Sequence, residues 1–94
     1  MTVADIKQTI YPILKQHNIK RAGLFGSVIK GDITKSSDVD ILVELGTDLS
    51  LLEFVRIKLD IEDKLKRRVD LVEYKAIKPR LKERILSEEL RIYG

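Results

Sequence analysis

The sequence predicts a small α/β sandwich that occupies residues 1–94 as a single domain. Helical and extended stretches alternate along the chain in the order α-β-turn-β-α-β-α, which is typical of helices packed on a sheet. A chain of 94 residues is too short for two domains. With 44% hydrophobic and 35% charged residues, it is too apolar for a disordered chain and too charged for a membrane span.

Capping patterns mark the predicted helices. Thr2 with Asp5, and Ser50 with Glu53, have the spacing of a capping box at a helix start. Pro12 falls inside the first helix and is expected to kink or break it, whereas Pro79 suits the first turn of the last helix. The middle helix is predicted to present one broad apolar face, made of Leu51, Leu52, Phe54, Val55, Leu59, Ile61 and Leu65.

Extended segments are predicted at 21–25, 39–45 and 69–74. The segment 39–45 is the clearest, because it is rich in β-branched residues and lies between serines and Gly46. Residues 90–93 fit either a frayed helix or a short edge strand.

Several classes of protein are excluded or disfavoured. The absence of cysteine excludes a disulfide scaffold and thiolate metal sites, and a single histidine disfavours a His-rich zinc centre. The chain has no apolar run near 18 residues and no signal-peptide pattern, so we expect a cytoplasmic protein without a membrane partner. A core this small would be helped by a partner subunit, and a homo-oligomer is one way to provide it.

Charge is distributed unevenly. Residues 1–35 carry a net charge of +4, residues 36–63 carry −6 and residues 64–94 carry +5. An acidic centre with basic flanks suits a metal site that faces phosphates. It does not suit direct nucleic-acid binding, which usually needs a concentrated basic surface and stacking aromatic residues.

Three aspartates are the candidate metal ligands. Asp38 and Asp40 are two residues apart on the predicted strand, so their side chains share one face while Val39 and Ile41 point to the core. Two close carboxylates repel each other, and oxygen ligands favour Mg²⁺ or Mn²⁺. If the strand that contains Asp70 lies beside this one, three carboxylates meet and provide the ligands of a two-metal site.

The segment LFGSVIKG at 24–31 predicts a phosphate cradle. Gly26 allows close approach of the backbone to a ligand. Ser27 offers a hydroxyl and an N–H group at an apparent helix start, where the helix dipole favours anions. Lys30 adds a positive charge about one turn later.

These motifs together resemble a known family. Gly26-Ser27, ten intervening residues and then Asp38-Val39-Asp40 resemble the signature of the nucleotidyltransferase superfamily that includes DNA polymerase beta. The resemblance covers nearly the whole chain, whose length is similar to that of the minimal nucleotidyltransferases, the MNT family. The family commonly has Gly-Ser-x-Ala-Arg-Gly at the first motif, whereas this chain has Lys30 at the arginine position.

The resemblance implies a minimal nucleotidyltransferase fold with a small mixed sheet, and it implies roles for the motif residues. Gly26 and Ser27 would hold the β- and γ-phosphates of ATP, and Lys30 would keep a positive charge near them. Asp38 and Asp40 would hold two Mg²⁺ ions, while Asp70 would bind one of them and help to activate an acceptor hydroxyl. MNT proteins are often antitoxins of HEPN-domain toxins, so the implied acceptor is a tyrosine of a HEPN partner.

Other functions remain open at this stage. A non-catalytic antitoxin could keep the same fold and neutralise its partner by binding alone. A catalytic subunit that modifies a small molecule, with the partner supplying the substrate pocket, is a third possibility. A glycosyltransferase also uses an Asp-x-Asp motif, but it needs a far larger nucleotide-sugar domain than 94 residues allow.

Overall fold

The computed structural model describes residues 2–26, 29, 38–46 and 48–94. Three helices and four strands lie within these ranges. In chain order they are α1 (Val3–Gln16), β1 (Ile19–Phe25), β2 (Val39–Leu45), α2 (Leu51–Leu65), β3 (Val69–Glu73), α3 (Pro79–Glu88) and β4 (Leu90–Tyr93), with a 3₁₀ turn at Tyr74–Ala76 between β3 and α3. In the part of the chain described, no helix has the length and hydropathy needed to cross a membrane.

The four strands form one mixed sheet in the order β3-β2-β1-β4. β1 runs antiparallel to both β2 and β4, and β2 runs parallel to β3. The connection between the parallel strands contains α2, as expected because parallel neighbours need a crossover rather than a tight turn. The predicted α/β class and mixed sheet are confirmed, and the 90–93 tail is an edge strand rather than a helix.

Helix α1 begins with the predicted capping box. The Asp5 N–H donates to Thr2 Oγ1 at 3.1 Å, and the Thr2 N–H donates to Asp5 Oδ2 at 2.9 Å. Pro12 does not end the helix, which continues to Gln16. The buried side of α1 consists of Ile6, Ile10, Ile13 and Leu14.

Helix α2 differs from its prediction in which side is buried. Only Ile57, Ile61 and Leu65 are buried, whereas Leu51, Leu52, Val55 and Leu59 are 78%, 72%, 39% and 55% exposed. The start of the helix has half of the predicted capping box, because the Glu53 N–H donates to Ser50 Oγ but the Glu53 carboxylate accepts from the Ser50 hydroxyl instead of its amide.

The two faces of the sheet have different cover. α1 and α2 pack on one face and enclose the main core, which includes Ala22, Leu24, Ile41, Val43 and Leu71. On the other face Leu42 is completely buried beneath a smaller cluster that contains Tyr74 and Ile77, and Ile85 and Leu86 of α3 pack against this cluster. This second face also carries Asp40, because Asp40 and Leu42 are two residues apart on β2 and their side chains therefore share a face.

Candidate functional site

Parallel pairing of β2 with β3 brings the predicted carboxylates together. Asp40 is the direct register partner of Asp70, and Asp38 immediately precedes β2. Val39 and Val69, which flank these aspartates, are 1% and 4% exposed in the main core. Because side chains alternate along a strand, Asp40 and Asp70 project from the opposite face. The two strands are therefore neighbours, which is the condition on which the prediction of a metal site depended.

Asp40 is the electrostatic centre of the group. Its side chain is half-buried, and this burial, together with the charges of Asp70 and then Asp38, raises its pKa to about 6. Both causes act against the ionised carboxylate, since burial removes hydration and like charges repel. A divalent cation would reverse both effects, so the donor set and its electrostatics fit Mg²⁺ or Mn²⁺.

The carboxylates are not arranged as a finished coordination cage. Among the residues that the structure describes, no group of three histidine or acidic side chains is placed to hold a metal ion. Asp38 and Asp70 are exposed to solvent, where uncompensated carboxylates keep their hydration. The prediction of a metal site therefore rests on two points. The aspartates occupy adjacent backbone positions, and their carboxylate oxygens are ligands that Mg²⁺ and Mn²⁺ prefer.

Gly26 ends β1 next to the aspartates. The register pairs Phe25 with Asp40, and Gly26 follows with a φ of +77°, in the left-handed region that favours glycine. A Cβ atom at this position would collide with Asp40 Oδ2. The Gly26 carbonyl accepts from the Ile29 N–H at 3.3 Å, which closes a turn. Because Gly26 has no side chain, the Asp40 carboxylate can lie directly against the backbone at the end of β1. Ser27 and Lys30, the other two predicted cradle residues, lie outside the described residues.

A cavity of 400 Å³ borders two of the three carboxylates, without Asp40 in its lining, and includes residues that the sequence analysis missed. Asp38 and Asp70 line it together with Lys58, Glu62 and Arg68. Lys58 and Arg68 place two positive charges beside the acidic group, where they could contact phosphate oxygens. The position of Arg68, two residues before Asp70, was a signal in the sequence, but the basic run 64–68 was interpreted first as a helix end.

A second cavity of 340 Å³ lies at the far end of the same strands and does not contain the aspartates. Arg21, Glu44, Glu73 and Tyr74 contribute to its lining. Arg21 Nε is 2.7 Å from Glu44 Oε1, and the Arg21 guanidinium lies 4.1 Å from the centre of the Tyr74 ring. Glu44 is four residues beyond Asp40, about 13 Å along an extended strand. Glu44 is therefore occupied in an ion pair and is separate from the candidate site.

Comparison with known proteins identifies the class of protein that this fold and site define. The family model described as "Polymerase beta, Nucleotidyltransferase" matches residues 8–94. The chain belongs to this nucleotidyltransferase family.

Two relatives place the chain within the family. It is 45% identical over 92 residues to MJ0435 of Methanocaldococcus jannaschii, a protein named as a candidate protein adenylyltransferase, and the match covers 98% of this chain and 99% of the relative. It is 35% identical over 74 residues to the protein adenylyltransferase MntA of Thermococcus cleftensis, covering 79% and 75% of the two chains.

Solved structures agree with the fold. A structure described as a candidate minimal nucleotidyltransferase has a TM-score of 0.81 and 32% identity, with 96% of this chain and 95% of that chain covered. An MNT antitoxin in complex with the tri-AMPylated HEPN toxin of Shewanella oneidensis has a TM-score of 0.75 at 19% identity, covering 97% and 71% of the two chains. The second likeness concerns the fold alone. The predicted resemblance to the minimal nucleotidyltransferases is confirmed.

Proposed function

We propose that this nucleotidyltransferase transfers AMP from ATP to a tyrosine hydroxyl of a HEPN-domain partner, depends on Mg²⁺ and acts as an antitoxin. The observation that carries the proposal is the register pairing of Asp40 with Asp70 beside Gly26, whose missing side chain makes room for the Asp40 carboxylate. The names of the relatives support protein adenylylation, and the complex with a tri-AMPylated HEPN toxin supports the partner.

Asp38, Asp40 and Asp70 would hold two Mg²⁺ ions. When bound, the ions would neutralise the carboxylates and stabilise charge on the phosphate oxygens. The raised pKa of Asp40, about 6, describes the protein without such a counter-charge, so cation binding is expected to displace a proton from Asp40 near and below that pH.

The phosphate side of the site would be formed by Gly26, Ser27 and Lys30. The absence of a side chain at Gly26 lets the nucleotide approach the backbone next to Asp40. Ser27 would contact the β- and γ-phosphates and Lys30 would add positive charge. A lysine is a point charge rather than the planar fork of the family's arginine, so a bidentate contact is not expected here.

The reaction moves one adenylyl group and one proton. The tyrosine oxygen forms a bond to the α-phosphorus of ATP, and the bond from that phosphorus to the bridging oxygen of pyrophosphate breaks. Asp70 is exposed and adjacent to Asp40, so its carboxylate would accept the proton that leaves the tyrosine hydroxyl. Pyrophosphate carries away the electron pair of the broken bond.

Intact-mass spectrometry of the HEPN-domain partner tests the proposal. The partner is incubated with this protein, ATP and Mg²⁺, and a mass increase equal to AMP is expected. Asp40→Asn should abolish the increase, and omission of Mg²⁺ should do the same. Glu44→Gln is the matched control, because Glu44 lies on the same face of the same strand but outside the site, and it should transfer AMP like the parent.

The outcome also separates the alternatives. Neutralisation of the partner without any mass increase would contradict the proposal and indicate an antitoxin that acts by binding alone. A nucleotidyl group found on an added small molecule, with the partner unmodified, would contradict the protein acceptor and indicate the catalytic subunit of a small-molecule nucleotidyltransferase.

A further inference from the structure

β3 forms one edge of the sheet, and its outward main-chain groups can be identified. The Val39 N–H of β2 donates to the Arg68 carbonyl at 2.9 Å. In a parallel pair alternate residues bond the same neighbour, so Arg68, Asp70 and Val72 direct their main-chain groups toward β2. Val69, Leu71 and Glu73 therefore direct theirs away from the sheet.

One outward group is already satisfied by a side chain. The Val69 N–H donates to Glu62 Oε2 at 2.8 Å in a partly buried contact, so α2 covers the beginning of this edge. Within the described ranges no comparable hydrogen bond involves the outward N–H and carbonyl of Leu71 or the outward N–H of Glu73, whereas the Glu73 carbonyl belongs to the N-cap of the 3₁₀ turn at Tyr74–Ala76 and accepts its first hydrogen bond. The strand consequently offers donors and acceptors to an added strand over its second half.

A groove runs along this edge. A cavity of 520 Å³ is lined by Leu71 and Val72, together with Leu51 and Phe54 of α2. Leu71 and Val72 point to opposite faces of the sheet, so a cavity that touches both must open at the edge of the strand. Leu51 is 78% exposed, and it gives the groove an apolar wall that the fold itself does not cover.

The groove leads to the aspartates. The 400 Å³ cavity beside the carboxylates is lined by Val69 and Asp70 of the same strand, directly before the Leu71 and Val72 of the apolar groove. Asp70 precedes Leu71 by one residue, which is about 3.3 Å along an extended strand. One extended segment can therefore pair with β3 and reach the acidic cavity.

We propose that the acceptor protein presents its hydroxyl residue on an extended segment that adds to the outer edge of β3. The segment places an apolar side chain in the groove between Leu51, Phe54 and Leu71, and its hydroxyl residue lies two to four positions away, at the carboxylates. This inference rests on the proposed function. The occupant follows from the chemistry of the edge, since unpaired main-chain groups beside an apolar groove suit an extended peptide.

Glu73→Pro is the sharpest test. Glu73 has a φ of −76°, which proline can adopt, and its outward N–H is one that an edge strand can lose without disturbing the sheet. The variant should raise KM for the HEPN-domain partner about tenfold, the effect of one lost hydrogen bond, with KM for ATP unchanged. Glu73→Ala keeps the backbone amide and removes the side chain, so it measures the contribution of the side chain to KM for the partner. That change should be less than about threefold.

A second pair of variants tests the groove. Leu51→Ser should raise KM for the partner about tenfold, because it removes the exposed apolar wall. Leu59→Ser is the matched control, since Leu59 is 55% exposed on the same helix but does not line the groove, and KM should stay at the parent value. Amide hydrogen exchange of the complex should show new protection at Leu71 and Glu73.

The outcomes separate this inference from the proposed function. If the partner is adenylylated by Glu73→Pro with the parent KM, and the Leu71 amide gains no protection, the edge proposal is wrong while the function stands. If no variant transfers AMP but the partner still protects the Leu71 and Glu73 amides, the enzymatic proposal fails and the docking edge stands. A Glu73→Pro effect on self-association alone, measured by sedimentation, would assign the edge to a second copy and overturn the inference.

Discussion

At the scale of single residues, Asp40 combines two conflicting requirements. It must be buried enough to be positioned by β2, yet it lies beside two other carboxylates that oppose its ionisation. Without a cation, the folded chain therefore binds a proton at Asp40 more tightly than the unfolded chain does. This is a typical property of functional sites, which keep an arrangement that stability alone would not favour.

The pH dependence of stability should reveal this conflict. The pKa of Asp40 is raised from 3.8 to about 6, so its stabilising contribution is complete below pH 3.8 and is lost as the pH rises through about 6. Asp40→Asn cannot ionise, and without Mg²⁺ it should be about 1 kcal/mol more stable than the parent above pH 6 after allowance for solvent screening.

Thermal unfolding in EDTA across pH 3 to 8 measures the difference. Mg²⁺ should restore stability to the parent above pH 6 and should not affect Asp40→Asn. Asp48→Asn is the control, because Asp48 is exposed and lies outside the site, and it should follow the parent at every pH. A parent and an Asp40→Asn variant with parallel stability curves would contradict the electrostatic account.

Gly26 provides a second prediction at this scale. Gly26→Ala places a Cβ atom against Asp40 Oδ2, so AMP transfer should fall about a hundredfold through displacement of the carboxylate. Gly26→Asn distinguishes crowding from strain, since asparagine tolerates positive φ but carries the same Cβ atom. Both variants should lose transfer. Retained transfer in Gly26→Asn would show that backbone conformation, rather than space beside Asp40, is what matters.

At the scale of elements, a partly buried polar contact joins the 3₁₀ turn after β3 to the residue between α3 and β4. The Tyr74 hydroxyl donates to Glu89 Oε2, and Arg91 Nη2 lies 3.8 Å from Glu89 Oε1. The Glu89 side chain is only 7% exposed. It occupies the space over Gly23, where a Cβ atom would collide with it. A glycine in the middle of β1 is therefore explained by the need to seat this carboxylate.

A double-mutant cycle tests this contact. Tyr74→Phe should lower the free energy of unfolding by about 1–3 kcal/mol, because the buried carboxylate loses its hydrogen bond. Gly23→Ala should displace Glu89 and cost a similar amount. The two effects should not add, since either change breaks the same contact. Ser87→Ala, which removes an exposed hydrogen bond to the Arg84 carbonyl, should add independently to both in urea unfolding.

The sequence predicted some elements better than others, for physical reasons. β2 was predicted with its observed bounds, Val39–Leu45, because a buried strand needs a short β-branched run between turn residues. The broad apolar face predicted for α2 was confirmed only in part, since Ile61 and Leu65 are buried. Apolar residues occur on two sides of that helix, and periodicity alone does not say which side meets the sheet. The outer side, including Leu51 and Leu59, remains exposed.

The candidate site, like the fold, could be predicted from the sequence only in part. Asp38, Asp40 and Asp70 could be selected from the sequence, because polar residues that interrupt strand patterns are conspicuous there. Their juxtaposition could not, because the order of strands and the register of Asp40 with Asp70 depend on how the whole sheet assembles. Lys58 reaches the site from α2, and only the packing of that helix beside β3 reveals it.

At the scale of the whole molecule, the sheet brings together parts of the chain that differ in charge. The acidic centre, with a net charge of −6 over residues 36–63, supplies Asp38 and Asp40. The basic C-terminal part supplies Asp70 together with Arg68. The acidic group is thus bordered by Arg68 from the basic part and by Lys58 from the acidic part, and such nearby cations suit a site for a metal-bound polyphosphate. Binding of a partner by coverage alone would give no reason to hold three carboxylates against their repulsion.

Titration of the proposed HEPN-domain partner should distinguish the proposed catalytic antitoxin from one that only binds. With ATP and Mg²⁺, a substoichiometric amount of the parent should silence the partner, because one enzyme modifies many acceptors. The double variant Asp38→Ala/Asp40→Ala should fail even in excess, because it can bind the partner without modifying it. The double variant Glu44→Gln/Asp48→Asn removes the same number of charges outside the site and should behave like the parent. Full protection by the aspartate double variant at an equimolar ratio would show that neutralisation is steric and would overturn the catalytic account.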